Sequence, residues 1–211
     1  ESCVLHVDHA TTIIHSQDTK LSSYNNNFIC RSISNFILRV NGRRKPIVLT
    51  GGFIGKILKV DLTHVKVHEE TLDENFYKAW LGGYGIGVRI IYGDIAPRTD
   101  PVGPGNILGF ATGLLTGTLT PLGSGFAVVG KSPLTNTWGD SRAGGFFGSE
   151  LKSAGFDAVF FYGRSRKPVY LWIEDGKAAI KDASTIWGRD VVEAEDIVKE
   201  QHGDKRVQVV S

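Results

Sequence analysis

Nine glycines crowd into 36 residues: Gly113, Gly117, Gly123, Gly125, Gly130, Gly139, Gly144, Gly145 and Gly148. Such a segment disfavours long helices, because each interior glycine costs roughly 0.5–1 kcal/mol relative to alanine. It favours short strands, tight turns and places where bare backbone meets a neighbour at close range. Two uses fit. One is turns in a strand-rich domain; the other is a cradle whose N–H groups face a phosphate or a flat heterocycle. The residues alone leave both open.

The flanking sequence supplies short elements. Ile57 to Leu62 and Val65 to Val67 alternate apolar with polar residues, which reads as a strand, a turn and a second strand. His64 and His68 fall on that pair without further metal-ligand types nearby, so they read as surface residues. Leu72, Phe76 and Trp80 are spaced four apart, with Asp73 and Glu74 in the first turn, and predict an amphipathic helix stopped by Gly82 and Gly83. Strands are expected at 107–111, 126–129, 158–162, 169–173 and 207–210 from β-branched and aromatic content. A short helix spans 149–154, and a longer one 190–202 places Val191, Ala194 and Val198 on one face before Gly203. Strands outnumber helices and do not alternate with them regularly, so the fold class is α+β.

Residues 1–51 are rich in Ser, Asn and Thr around the tract Ser22 to Asn27 and show no sustained period. They read as a poorly ordered appendage to a domain over 52–211. The chain holds 24 basic and 22 acidic residues, a net charge of +2, so no broad field recommends nucleic acid as a partner. The cluster Arg43, Arg44, Lys45 before Pro46 reads as a solvated loop. No apolar run approaches the ~18 residues of a membrane span, and the opening residues lack secretory order, so the expected location is the cytoplasm. Cys3 and Cys30 make no metal framework and fall short of the four thiolates of a four-iron four-sulfur cluster. The absence of methionine and the apolar ending Val209, Val210, Ser211 suggest part of a longer protein.

Three strings resemble enzyme signatures. Gly125 to Ser132 spells G-x-x-x-x-G-K-S, the phosphate loop of nucleotide hydrolases. That loop needs a strand before the first glycine and a helix beginning near Lys-Ser. Here the apolar strand lies inside the motif and Pro133 follows it, so nucleotide binding is not expected. Gly83, Gly85 and Gly87 lack the third glycine of the dinucleotide fingerprint, since Val88 occupies its place. Ser149 to Lys152 spells the S-x-x-K of acyl-transfer enzymes, yet a short helix with Lys152 on its surface accounts for it.

Read together, LTGTLTP (115–121), KSPLT (131–135), WGD (138–140) and GGFFGSELKSAGFDA (144–158) resemble the N-terminal domain of the aldehyde:ferredoxin oxidoreductase family. GKILKVDLT (55–63), KPVY (167–170) and DASTIWG (182–188) follow the same order, so the resemblance covers about 52–211. It implies two intertwined β-rich repeats forming a base for a tungsten (or molybdenum) bis-pyranopterin cofactor, whose dithiolene sulfurs hold the metal and whose phosphates are bridged by magnesium. It implies oxidation of aldehydes to carboxylic acids, with electrons passing through a four-iron four-sulfur cluster to ferredoxin. Cluster and substrate pocket belong mostly to later domains, so this chain alone is expected to be inactive. A homo-oligomer is compatible with the resemblance. Among site residues, Gly144 and Gly145 match a position where backbone approaches the cofactor. Gly125 stands where a pterin-contacting arginine is expected, and Arg142 where an asparagine is expected near the magnesium. An aromatic-ring reductase acting on a coenzyme A thioester (benzoyl-CoA type) is the alternative in the same superfamily, and a degenerate fragment without cofactor is another.

Overall fold

In the computed structural model, residues 4–8, 11–15, 35–39, 50–121 and 123–210 are described. The Ser22 to Asn27 tract, Arg43 to Lys45 and both cysteines lie outside them. Strands β1 (Val4–Asp8) and β2 (Thr11–His15) pair as an antiparallel hairpin, and β3 (Asn35–Arg39) joins a sheet formed by later residues. The division at 51/52 therefore stays a proposal, with β3 as the element that bears on it.

From residue 56 the chain builds two sheets. Strands β4 (Lys56–Asp61) and β5 (Lys66–Thr71) form the expected hairpin. Helices α1 (Glu74–Trp80) and α2 (Tyr84–Asp94) follow, then β6 (Ile107–Thr112), β7 (Phe126–Lys131) and β8 (Trp138–Ala143). Helix α3 (Phe147–Ser153) leads to β9 (Ala158–Tyr162), which inserts between β4 and β6 and completes a six-stranded sheet in the order β5-β4-β9-β6-β7-β8. Strands β10 (Val169–Glu174) and β11 (Lys177–Asp182), helix α4 (Val191–His202) and β12 (Gln208–Val210) supply the rest. The second sheet runs β11-β10-β3-β12.

Strand alternation divides the apolar residues among three cores. Leu58, Val60, Phe126, Val128, Val159 and Phe161 turn one way, toward α3 and toward Leu171 and Ile173 of the second sheet. Their neighbours Ile57, Ala127, Val129, Ala158 and Phe160 turn the other way, under α1 and α2. Tyr170 and Trp172, on the outer face of β10, pack against Ala194 and Val198 of α4. The result is an α–β–β–α stack, each layer closing a face that water would otherwise wet.

Several sequence expectations need correction. Tyr77, not Trp80, is the fully buried aromatic of α1: its ring stacks on Phe53 at 4.2 Å between centroids and its hydroxyl donates to Asp157 at 2.7 Å, while Trp80 stays 38% exposed. Helix α2 is not among the expected elements: Gly82 and Gly83 read as a stop, and Gly85 and Gly87 only as part of an incomplete dinucleotide fingerprint. Gly85 and Gly87 are there for space. A Cβ on Gly85 would lie 1.8 Å from the Trp80 carbonyl oxygen, and one on Gly87 2.8 Å from Val129 Cγ2. Lys152, expected on a helix surface, is buried with 1% of its surface exposed.

Candidate functional site

The glycine-rich segment gathers at one end of the six-stranded sheet. There β6 ends at Thr112, β7 begins at Phe126 and β8 ends at Ala143, and the ladders pair Thr112 with Phe126 and Phe126 with Ala143. Three connections meet at that end: 113–125, 144–146 and the turn into α2, whose Gly83 N–H donates to the Thr112 carbonyl at 2.8 Å. Close backbone approach explains the glycines where it occurs. A Cβ on Gly82 would lie 2.8 Å from the same Thr112 oxygen.

Gly144 and Gly145 lie open: a Cβ on either would meet nothing within 4 Å. Gly145 has φ +85, a conformation that L side chains rarely adopt, so it presents bare backbone for conformational reasons rather than for lack of room. Gly125 has its carbonyl held by Thr116 Oγ1 at 2.6 Å, and a Cβ there would find only the Ala143 carbonyl at 3.7 Å. An arginine side chain would therefore fit at 125 without clash at its root.

Arg142 faces Ala127 across the β7–β8 ladder. Position 125, two residues before Ala127, falls on the same face one step beyond the ladder, diagonal to Arg142, where neighbours stand about 7–8 Å apart. The Arg142 Nε donates to the Tyr84 hydroxyl at 2.7 Å, and the guanidinium carbon lies 4.7 Å from the Tyr84 ring centroid. Stacking and hydrogen bond together fix the plane of the guanidinium. Its two terminal nitrogens have no partner among the described residues. The segments 82–87, 113–125 and 144–148 contain no Asp or Glu. One guanidinium thus stands at this end, with no carboxylate on the loops to oppose an anion.

Beneath the loops lies a buried polar centre. Asp157 accepts from the Ile54 N–H at 2.9 Å, the Gly55 N–H at 2.8 Å and the Tyr77 hydroxyl. Lys152 Nζ lies 3.8 Å from Asp157 Oδ1, with both side chains 2% exposed, and donates to the carbonyls of Gly52 and of Leu114, the latter at 3.2 Å. Burial pulls the Lys152 ammonium down to about 8, against the Asp157 charge, which holds it up. Burial, then the nearby Asp157 carboxylate, pushes the Tyr77 phenol far above its ordinary range.

All four expected site residues, Gly125, Arg142, Gly144 and Gly145, thus meet at one end of one sheet. Sequence reasoning missed Tyr84, Thr116 and the centre formed by Tyr77, Lys152 and Asp157. Asp157 stood inside the GFFGSELKSAGFDA stretch without a role, and the S-x-x-K string drew Lys152 to the surface. The phosphate-loop string does not form a strand–loop–helix. Phe126 to Lys131 is strand, the Lys131 ammonium donates to the Thr99 carbonyl at 2.6 Å, and Ser132 opens a turn in which its N–H reaches the Thr137 carbonyl. His64 lies in a surface turn with Nδ1 2.7 Å from Asp61, and no group of three or more His, Cys, Asp or Glu among the described residues could hold a metal. No helix among the described residues is long and apolar enough to cross a membrane.

Residues 57–211 match the model of the aldehyde ferredoxin oxidoreductase N-terminal domain. The tungsten-containing aldehyde ferredoxin oxidoreductase of Pyrococcus abyssi is 48% identical over 160 residues, which make up 76% of this chain and 26% of that protein. An aliphatic sulfonate oxidoreductase subunit of Pyrococcus furiosus, described as WOR-like, is 37% identical over 72% of this chain and 25% of its own length. Among solved structures, the active-site complex BamBC of benzoyl coenzyme A reductase, with 1,5-dienoyl-CoA bound, superposes with a TM-score of 0.72 at 35% identity, over 74% of this chain and 24% of that one. The chain therefore spans about a quarter of the length of the relatives it matches.

Proposed function

The chain belongs to the aldehyde ferredoxin oxidoreductase family, through its N-terminal domain, and from that premise we propose that the glycine-lined end of its six-stranded sheet holds a tungsten bis-pyranopterin cofactor. The observation that carries the reading is the meeting of open backbone at Gly144 and Gly145 with one oriented guanidinium on loops free of carboxylates. That donor set fits a flat, phosphate-bearing group. It also fits a metal held by the cofactor's own sulfurs, since the described residues offer no metal-ligand cluster. Bound there, the cofactor would supply the redox-active metal, tungsten or molybdenum, for a two-electron oxidation.

Arg142 is the residue to hold phosphate. A guanidinium has donors and no acceptor, so it cannot ligate magnesium. It can pair bidentately with phosphate oxygens and take over part of a bridging ion's charge. Arginine at 142 in place of one at 125 moves the same charge from the residue before β7 to β8 on one face of the sheet, and Tyr84 sets its plane. Gly144 and Gly145 offer backbone to the cofactor, and Thr116 fixes the Gly125 carbonyl beside it.

We propose further that the chain is the cofactor-binding part of a longer enzyme oxidising aldehydes to carboxylic acids in the cytoplasm, with ferredoxin as acceptor and a four-iron four-sulfur cluster on cysteines outside this chain. A benzoyl-CoA-type ring reduction is the second reading, favoured by the superposition on BamBC. The relatives' names span aldehyde, sulfonate and coenzyme A thioester chemistry, so the substrate is chosen elsewhere in the protein.

The test is tungsten and pterin content of the full-length protein purified from cells supplied with tungstate. The unaltered protein is expected to carry both. Arg142→Ala is expected to weaken cofactor affinity about 10- to 150-fold, on the order of 1.5–3 kcal/mol for a hydrogen bond to a charged group. Content unchanged in Arg142→Ala would remove Arg142 from the site. Absence of cofactor from the unaltered, folded protein would favour a degenerate site.

A further inference from the structure

We propose that Lys152 is a positioning residue for the site: its buried ammonium joins the carbonyl of Leu114 to that of Gly52 and so sets where the loop 113–125 presents its backbone. An ion pair with Asp157 is not a sufficient account of this lysine. The Asp157 carboxylate already accepts from two backbone N–H groups and the Tyr77 hydroxyl, and its separation from Lys152 Nζ, 3.8 Å, is longer than a hydrogen bond. The direct bonds of Lys152 run instead to two main-chain carbonyls, those of Gly52 and Leu114. These come from segments in near contact, since a Cβ on Gly52 would lie 2.4 Å from the Leu114 oxygen. Both carbonyl oxygens accept from the one ammonium, so the lysine ties the two segments to each other.

The constraint passes along the loop by hydrogen bonds. Beside Leu114, the Gly113 N–H donates to Thr116 Oγ1 at 3.1 Å, Thr116 Oγ1 donates to the Gly125 carbonyl at 2.6 Å, and the Gly117 N–H donates to the Gly123 carbonyl at 2.8 Å. Lys152 also borders the loop directly, since a Cβ on Gly117 would lie 3.7 Å from Lys152 Cβ. Displacing Leu114 therefore moves Thr116 and, through it, Gly125.

A lysine kept only for stability predicts something different. Removing one partner of a buried pair is strongly destabilising, and for a lysine kept only for stability that cost falls on the loop and the strands alike. In Lys152→Met the loop is expected to loosen beyond any such general cost. Amide hydrogen exchange read by NMR is expected to accelerate at Gly113 and Gly117 by tenfold or more over whatever change β6, β7 and β9 show. Loop exchange that stays at the parent rate, or that rises in step with the strands, would overturn the proposal. A measurement on the unaltered chain covers the case in which the variant does not fold: scalar couplings across the hydrogen bonds from Lys152 15Nζ to the 13C carbonyls of Gly52 and Leu114. Both couplings are expected, and absence of the Leu114 coupling would overturn the proposal equally. What the loop is for rests on the cofactor reading, but neither measurement uses cofactor, so failure of tungsten loading and failure of this inference are separate outcomes.

Discussion

At Lys152 burial and charge pull in opposite directions, and the balance gives a pH dependence with a definite sign. Burial lowers the ammonium from 10.5 to about 8, with Asp157 opposing. Between those values the unfolded chain binds more protons than the folded one, so stability rises with pH across that window, and below it the folded state carries the full cost of a buried charge. For one proton the gain is about 1.4 kcal/mol for every pH unit crossed, so raising pH from 8 to 9.5 should add on the order of 2 kcal/mol to unfolding stability. Above about 10 the trend reverses, because the raised phenols of Tyr77 and Tyr162 keep protons that the unfolded chain releases. Urea denaturation at pH 8 and 9.5 should show the rise in the parent and little of it in Lys152→Met. Equal slopes in the two proteins would assign the effect elsewhere. None of this was legible in sequence, where Lys152 follows a helical surface spacing. Its burial comes from tertiary partners at 52, 114 and 157, distant along the chain and close only in the fold.

Elements were legible where their signals are local. Helix α4 begins at an N-cap, Asp190, whose side chain accepts from the Glu193 N–H, and ends at Gly203 in the left-handed conformation. Both signals sit within one turn of the helix they bound. Helix α2 was missed for the converse reason. Its glycines lower helix propensity but allow the chain to pass Trp80 and to lie against Val129. Strand β8, Trp138 to Ala143, has no apolar alternation of its own and is held as strand by its ladder to β7. Strand β11 is likewise fixed by β10. The space argument for α2 makes a prediction opposite to helix propensity. Propensity alone has Gly85→Ala stabilising by about 1 kcal/mol. A Cβ 1.8 Å from the Trp80 carbonyl oxygen has to displace backbone, so Gly85→Ala is expected to destabilise by on the order of 1–3 kcal/mol in chemical denaturation. A more stable variant would mean that the α1–α2 turn yields easily.

On the scale of the whole molecule, two sheets and two outer helical layers carry one edge made almost wholly of loop, the edge proposed to hold the cofactor. The α+β class was legible in the order of strands and helices, and the resemblance, read from motifs in order, pointed to Gly125, Arg142, Gly144 and Gly145, which lie together at that edge. Motifs could not give the Tyr84 stack on Arg142 or the polar centre below, because those depend on which segments the topology brings together. The same separation explains why the substrate is not readable here. The role proposed for the edge is to hold a cofactor, whereas the relatives' names differ in what they act on. The central claim concerns place, so the most direct measurement is an anomalous difference map at a tungsten absorption edge from crystals of the full-length protein grown with tungstate. The account predicts a single strong peak facing the end of the six-stranded sheet, on the side of Gly125, Arg142, Gly144 and Gly145. A tungsten peak elsewhere on the molecule, with that end facing only solvent or protein, would contradict it.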